Sequence, residues 1–154
     1  MKYSVKKVDS KAQPVAYMRK RCDVAEMPRI IGESYSRIMG FLVEEGEQPA
    51  GIPYTAYYNM DMKDLDVEMG FPTMRLLDSK GDVMCRTIPE GLQVELMHEG
   101  PYSSMSASYI ELDKWMQDNG YERCGPAYEY YFNSPQEVEE AELLTKIVIP
   151  IRKK

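Results

Sequence analysis

One carboxylate stands in a run of aromatic and small residues, Ala127-Tyr128-Glu129-Tyr130-Tyr131-Phe132. A glutamate in that setting can do two kinds of chemistry. As a fixed negative charge it can hold a flat, greasy cation whose faces rest on tyrosine rings. As a general base or nucleophile it can attack an electrophile while a tyrosine supplies the proton. If the run is a β-strand, side chains alternate, so Glu129 and Tyr131 share one face while Tyr128, Tyr130 and Phe132 share the other. The bland alternative is exposure at a strand edge, because charged side chains are seldom fully buried.

Other chemistries find little support. His98, the one histidine, precedes Gly100-Pro101 and reads as a turn histidine bonded to backbone. No phosphate loop or dinucleotide fingerprint is present. Cys22, Cys85 and Cys124 are odd in number and far apart, which suits neither a disulfide framework nor a zinc site. The acidic residues lack histidines or cysteines at ligand spacing, so no metal and no cofactor are expected. Residues 137–142, EVEEAE, read as a solvated acidic loop. A net charge of −6 argues against direct contact with nucleic acid. The terminal Arg152-Lys153-Lys154 reads as a solvated tail. No apolar run reaches the length of a membrane span and no leader opens the chain, so a single cytoplasmic domain, 1–154, is expected.

The strand that carries Glu129 repeats an earlier phrase. GPAYEYYFN at 125–133 echoes GIPYTAYYN at 51–59, a shift of 74, with Thr55 in the place of Glu129. The same shift carries Ile31, Tyr35, Ile38 and Leu42 onto Met105, Tyr109, Leu112 and Met116, and Phe41 onto Trp115. Those spacings are the apolar stripe of an amphipathic helix. They predict helices near 28–45 and 103–118, each followed by a glycine, Gly46 or Gly120, able to end it in the left-handed conformation. Strands are expected at 14–22 and 91–99 before the helices, and at 64–72 and 143–151 after the repeated phrase. The fold class is therefore α+β. Two β-α-β-β modules, about 14–72 and 91–151, are related by a pseudo-twofold axis, with antiparallel sheets and a central ligand cleft. The connector, 73–90, carries a turn at Ser79-Lys80-Gly81-Asp82 joining two short strands. The stripe tyrosines Tyr35 and Tyr109 are expected in the core, as are Met105 and Met116. Since the fold tolerates neutral Thr55, the charge of Glu129 looks like a specialisation of one wall. Twelve tyrosines and twelve methionines fit a surface that adapts to greasy cations.

The residues His98-Glu99-Gly100-Pro101-Tyr102, then Trp115, Asn119-Gly120-Tyr121, and Gly125-Pro126-Ala127-Tyr128-Glu129-Tyr130-Tyr131 leading to Asn133-Ser134-Pro135, resemble the GyrI-like effector-binding domains. Asp66-Val67-Glu68-Met69-Gly70-Phe71-Pro72 looks like the family's corresponding strand in the first module. The resemblance covers nearly the whole chain. It implies a ligand-sensing domain of the kind found in AraC-type and MerR-type multidrug regulators, or its free-standing form, with an aromatic cleft and one glutamate at its base. Glu129 matches that glutamate, with Tyr131 beside it. Tyr57, Trp115 and Glu68 complete the ligand-binding candidates. The implied partners are aromatic, lipophilic and cationic small molecules, and a separate DNA-binding protein if the role is regulatory. Some relatives are hydrolases of cyclopropane-bearing toxins, in which case Glu129 and Tyr131 are the catalytic pair. Another relative moderates DNA gyrase, so a protein-interaction module is a further alternative. The first module departs from the pattern, reading Lys20-Arg21-Cys22-Asp23 in place of a Gly-Pro turn.

Overall fold

The strand-helix-strand-strand order is present twice in the computed structural model, which describes residues 4–154. Its elements are β1 (Lys6–Ser10), β2 (Gln13–Cys22), α1 (Met27–Glu44), β3 (Tyr54–Tyr57), β4 (Leu65–Pro72), β5 (Met84–Ile88), β6 (Gly91–Glu99), α2 (Met105–Asn119), β7 (Tyr121–Arg123), β8 (Ala127–Tyr131) and β9 (Leu144–Lys153). They form two compact units. The first module is Lys11–Glu90, and the second is residues 4–10 with Gly91–Lys154.

In the first module β4 lies between β3 and β2, and β5 adds to the other side of β2, all antiparallel. The second module repeats this with β9 between β8 and β6, and β1 on the other side of β6. Each helix buries its apolar stripe on one face of its own sheet. Ile38, Phe41 and Leu42 of α1 meet Ala16, Met18 and Phe71. Leu112 and Met116 of α2 meet Val94, Leu96, Ile147 and Ile149. Short 3-10 turns, Val24–Glu26 and Tyr102–Ser104, lead into the helices. Asp23 and Glu26 form a capping box at the first of them. Gly46 (φ 69°) and Gly120 (φ 77°) follow the helices in the left-handed region, as expected.

The repeated phrase plays matching structural parts at its glycine and its asparagine. Each glycine passes over a proline of the module's last long strand: a Cβ on Gly125 would crowd Pro150 at 3.1 Å, while one on Gly51 would make ordinary contact with Pro72 at 3.4 Å. Asn59 accepts from the Asp66 amide and donates to the Asp64 carbonyl. Asn133 makes the equivalent pair with the Leu144 amide and the Glu142 carbonyl. Each asparagine thus fixes its hairpin, and with it the register of β3 on β4 or of β8 on β9.

Three sequence expectations change. Arg152 and Lys153 are not a free tail: they pair with Glu122 and Tyr121 of β7 on the C-terminal end of β9. The connector carries one strand, β5, preceded by an isolated Lys80–Val83 bridge rather than by a second strand. β1 and β7 were invisible to periodicity: β7 is too short to alternate, and β1, KKVDS, has the lysine-rich look of an edge strand.

Gly70 on β4 lies under the ring of Tyr54, and an added Cβ would meet its hydroxyl and two ring carbons at 2.6–2.8 Å. Tyr54 is fully buried. Gly70→Ala is therefore expected to cost about 1–3 kcal/mol in denaturant unfolding. Gly91→Ala, where nothing lies within 4 Å, should hold or gain stability.

Candidate functional site

Glu129 lies on β8, directly opposite Ile147 of β9, with Ala127 and Tyr131 on the same face. That face packs on α2, so the carboxylate points inward and is 8% exposed. Each oxygen accepts one phenol. Tyr109 of α2 donates to Oε2 at 2.5 Å, and Tyr131 donates to Oε1 at 2.9 Å. Among the described residues no lysine or arginine forms an ion pair with Glu129. Burial is the largest influence on its ionisation and raises its pKa; the two phenols and the nearby His98 act the other way without overcoming it.

Aromatic surface leads from the outside towards this acid. Tyr102, in the turn before α2, is 42% exposed and sets its ring edge-on against Tyr131, with centroids 5.9 Å apart. Burial and the charge of Glu129 raise the pKa of Tyr102, which stays a neutral phenol at physiological pH. His98 of β6 is buried. Its Nε2 contacts the Pro101 carbonyl at 3.0 Å, which makes that nitrogen the donor, and its Nδ1 meets the Ser108 hydroxyl at 2.8 Å. The histidine thus anchors the turn that presents Tyr102, as its place before Gly100-Pro101 suggested. Thr145, paired with Tyr131 on one side and His98 on the other, is the one buried side-chain polar atom without a partner among the described residues.

The helix stripe predicts a core position for Tyr109. It does sit on the apolar stripe, but its hydroxyl reaches the acid. The repeat held the clue. Tyr35, its counterpart on α1, donates to the Tyr54 carbonyl at 2.8 Å and lies 3.3 Å from the Thr55 hydroxyl, the counterpart of Glu129. The helix tyrosine is kept while the group it meets changes.

The other candidates belong to other elements. Trp115, half-buried on α2, stacks on Tyr121 of β7, with centroids 5.7 Å apart, and borders the core at the other end of the helix from Tyr102. Tyr57 belongs to the first module and packs on its cluster of Cys22, Met27, Leu65, Val67 and Met69. Glu68, also in the first module, is fully buried and already engaged. It accepts from Tyr54 and Tyr58, and Arg86 pairs with it at 2.9 Å. No group of three His, Cys, Asp or Glu suited to a metal occurs among the described residues. Within the same residues no helix is long and apolar enough to cross a membrane.

Residues 1–152 match the family model described as a GyrI-like small molecule binding domain. The crystal structure of the EcmrR C-terminal domain is similar, with a TM-score of 0.82 at 24% identity over 100% of both chains. In the EcmrR–DNA complex the matching part is 58% of the EcmrR chain. A hydrolase from Listeria innocua gives a TM-score of 0.72 at 12% identity over 96% of this chain and 91% of that one. SAV2435 bound to tetraphenylphosphonium gives 0.64 at 11% identity over 99% and 94%. A sequence comparison with curated proteins found no significant match.

The raised pKa of Glu129 has a signed consequence. The folded protein holds this proton more tightly than the unfolded chain does, where the ordinary value is 4.5. Glu129 therefore costs stability in full above its folded pKa, and the cost disappears as pH falls from there to 4.5. Glu129→Gln should be at least as stable as the wild type at pH 8, and its advantage should shrink as the pH drops. Each unit of elevation corresponds to about 1.4 kcal/mol. Denaturant midpoints of both proteins from pH 8 to pH 4.5 measure this difference; an advantage that does not change with pH contradicts it.

Proposed function

Because this chain belongs to the GyrI-like family of small-molecule-binding domains, we propose that it binds aromatic, lipophilic cations and that Glu129 is their counter-charge. The observation that carries the reading is a buried carboxylate whose hydrogen-bond partners are two phenols, with no ion-paired lysine or arginine among the described residues. Phenols satisfy the oxygens without neutralising the charge. A cation would supply the missing neutralisation, and tyrosine faces would supply the favourable quadrupole. The rings of Tyr131 and Tyr102, running from the carboxylate towards the surface, suit a flat or propeller-shaped ligand. SAV2435, of similar fold, was solved with tetraphenylphosphonium, a ligand of this class.

A second reading has its own support. The 2.5 Å contact from Tyr109 to Glu129 is a proton donor already positioned against an acid, and catalysis on an electrophile such as a strained cyclopropane needs such a pair. A hydrolase from Listeria innocua has a similar fold. In this reading Glu129 is the base or nucleophile, and Tyr131 or Tyr109 is the donor. Product formation from a cyclopropane-bearing electrophile, lost in Tyr109→Phe or in Tyr131→Phe, separates catalysis from binding.

For binding, the test is calorimetric titration at pH 7.5 with tetraphenylphosphonium and with neutral triphenylphosphine oxide. Glu129→Gln keeps the shape and removes the charge. It should weaken the cation by about 1–3 kcal/mol and the neutral compound much less. Equal losses for both, or none for either, remove Glu129 from the site.

A further inference from the structure

The first module contains a second acid among tyrosines, and there the chain supplies the cation itself. Glu68 of β4 is fully buried. Its Oε2 accepts from the Tyr54 hydroxyl at 2.5 Å and its Oε1 from the Tyr58 hydroxyl at 2.6 Å. One guanidinium nitrogen of Arg86 lies 2.9 and 3.1 Å from the two oxygens. The same guanidinium is 5.3 Å from the centroid of the Tyr17 ring. Tyr58 is held from its other side by Arg19, whose guanidinium stands 3.6 Å over the ring and itself donates two parallel hydrogen bonds to Asp66. The acid, its phenols and the neighbouring ring are thus set in place by β2, β3 and β4 and the residues just beyond them. The cation reaches in from β5, the outermost strand of this sheet.

We infer that Arg86 is the tethered occupant of a guanidinium-binding site, and that its presence determines that the first module takes no external cation. The chemistry suits a planar guanidinium or amidinium: one nitrogen meets both carboxylate oxygens while the flat cation lies near the Tyr17 ring. Arg86 is 29% exposed, so the route from solvent to Glu68 runs along the side chain that fills the site. While tethered, that side chain competes at a high effective concentration, which excludes a free cation of similar affinity. Glu129 has no such occupant among the described residues. The consequence for stoichiometry, one external cation bound at Glu129 rather than two, rests on the function proposed above; the guanidinium site itself does not.

The test is thermal unfolding of Arg86→Ala with and without about 20 mM methylguanidinium, with trimethylammonium at equal ionic strength as control. Removing one partner of a buried pair should lower the melting temperature by about 5–10 °C. Methylguanidinium should then restore about 2–4 °C in a saturable way. Trimethylammonium should restore less. Neither salt should move the wild type or Arg86→Ala/Glu68→Gln. Equal responses of Arg86→Ala and the double variant, or no response of Arg86→Ala, overturn the inference. If Arg86→Ala does not fold, Arg86→Gln is titrated in the same way against the same criteria. Repeating the titration with Glu129→Gln added keeps the two proposals apart. An unchanged response places the ion in the first module whatever Glu129 binds, and a lost response overturns the assignment to Glu68.

Discussion

A carboxylate taken out of water loses hydration worth several kcal/mol, and something must replace it. The protein does this twice, by different means. At Glu68 it uses two phenols and a guanidinium, so both charge and hydrogen-bonding capacity are answered. At Glu129 it uses two phenols and stops there. That difference sets the chemistry of the molecule. A buried acid with one hydrogen bond to each oxygen and no paired charge can be answered by a proton or, on the function proposed above, by a cation. The architecture around it serves to keep the acid in that condition. β9 and α2 shield it from water, Asn133 fixes the hairpin that aims it, and His98 fixes the turn that brings Tyr102 alongside.

Tyr109 shows how a repeated scaffold acquires such a site with little rebuilding. The helix tyrosine of each module already directs its hydroxyl at the same position of the following strand. With threonine there, the hydroxyl spends its hydrogen bond on a backbone carbonyl. With glutamate there, the same phenol becomes a donor to a charge. The difference between Thr55 and Glu129 thus turns a packing contact into a phenol–carboxylate hydrogen bond without moving the donor.

Most of the fold was legible because its signals are local and periodic. The stripes on α1 and α2, the glycines behind them and the alternation in β6 each follow from neighbouring residues alone, and the observed β6 is the expected 91–99. The carboxylate was legible for a different reason: it is an exception to its surroundings, and its repeat partner is neutral. What escaped was anything fixed by partners distant in sequence. The Arg86 pairing with Glu68 joins β5 to β4 across β2, and no spacing encodes it. The hydroxyl of Tyr109 looked apolar because a stripe reports which face a residue occupies and not where its terminal atom ends. Arg152 and Lys153 looked solvated because charge masks a strand whose side chains are exposed while its backbone is paired.

The placement of β1 and β5 has a consequence for the origin of the chain. β1 precedes β2 by two residues yet completes the sheet of the second module, and β5 precedes β6 by two residues yet completes that of the first. The segment that recurs along the sequence, β-β-α-β-β, is therefore not the segment that forms one compact body. A single copy of that segment would carry an outer strand that completes a twin's sheet rather than its own, as in a swapped dimer. On that history, joining two copies into one chain turned a concentration-dependent association into a covalent one. It also freed the copies to diverge, one answering its acid from within and the other leaving its acid open.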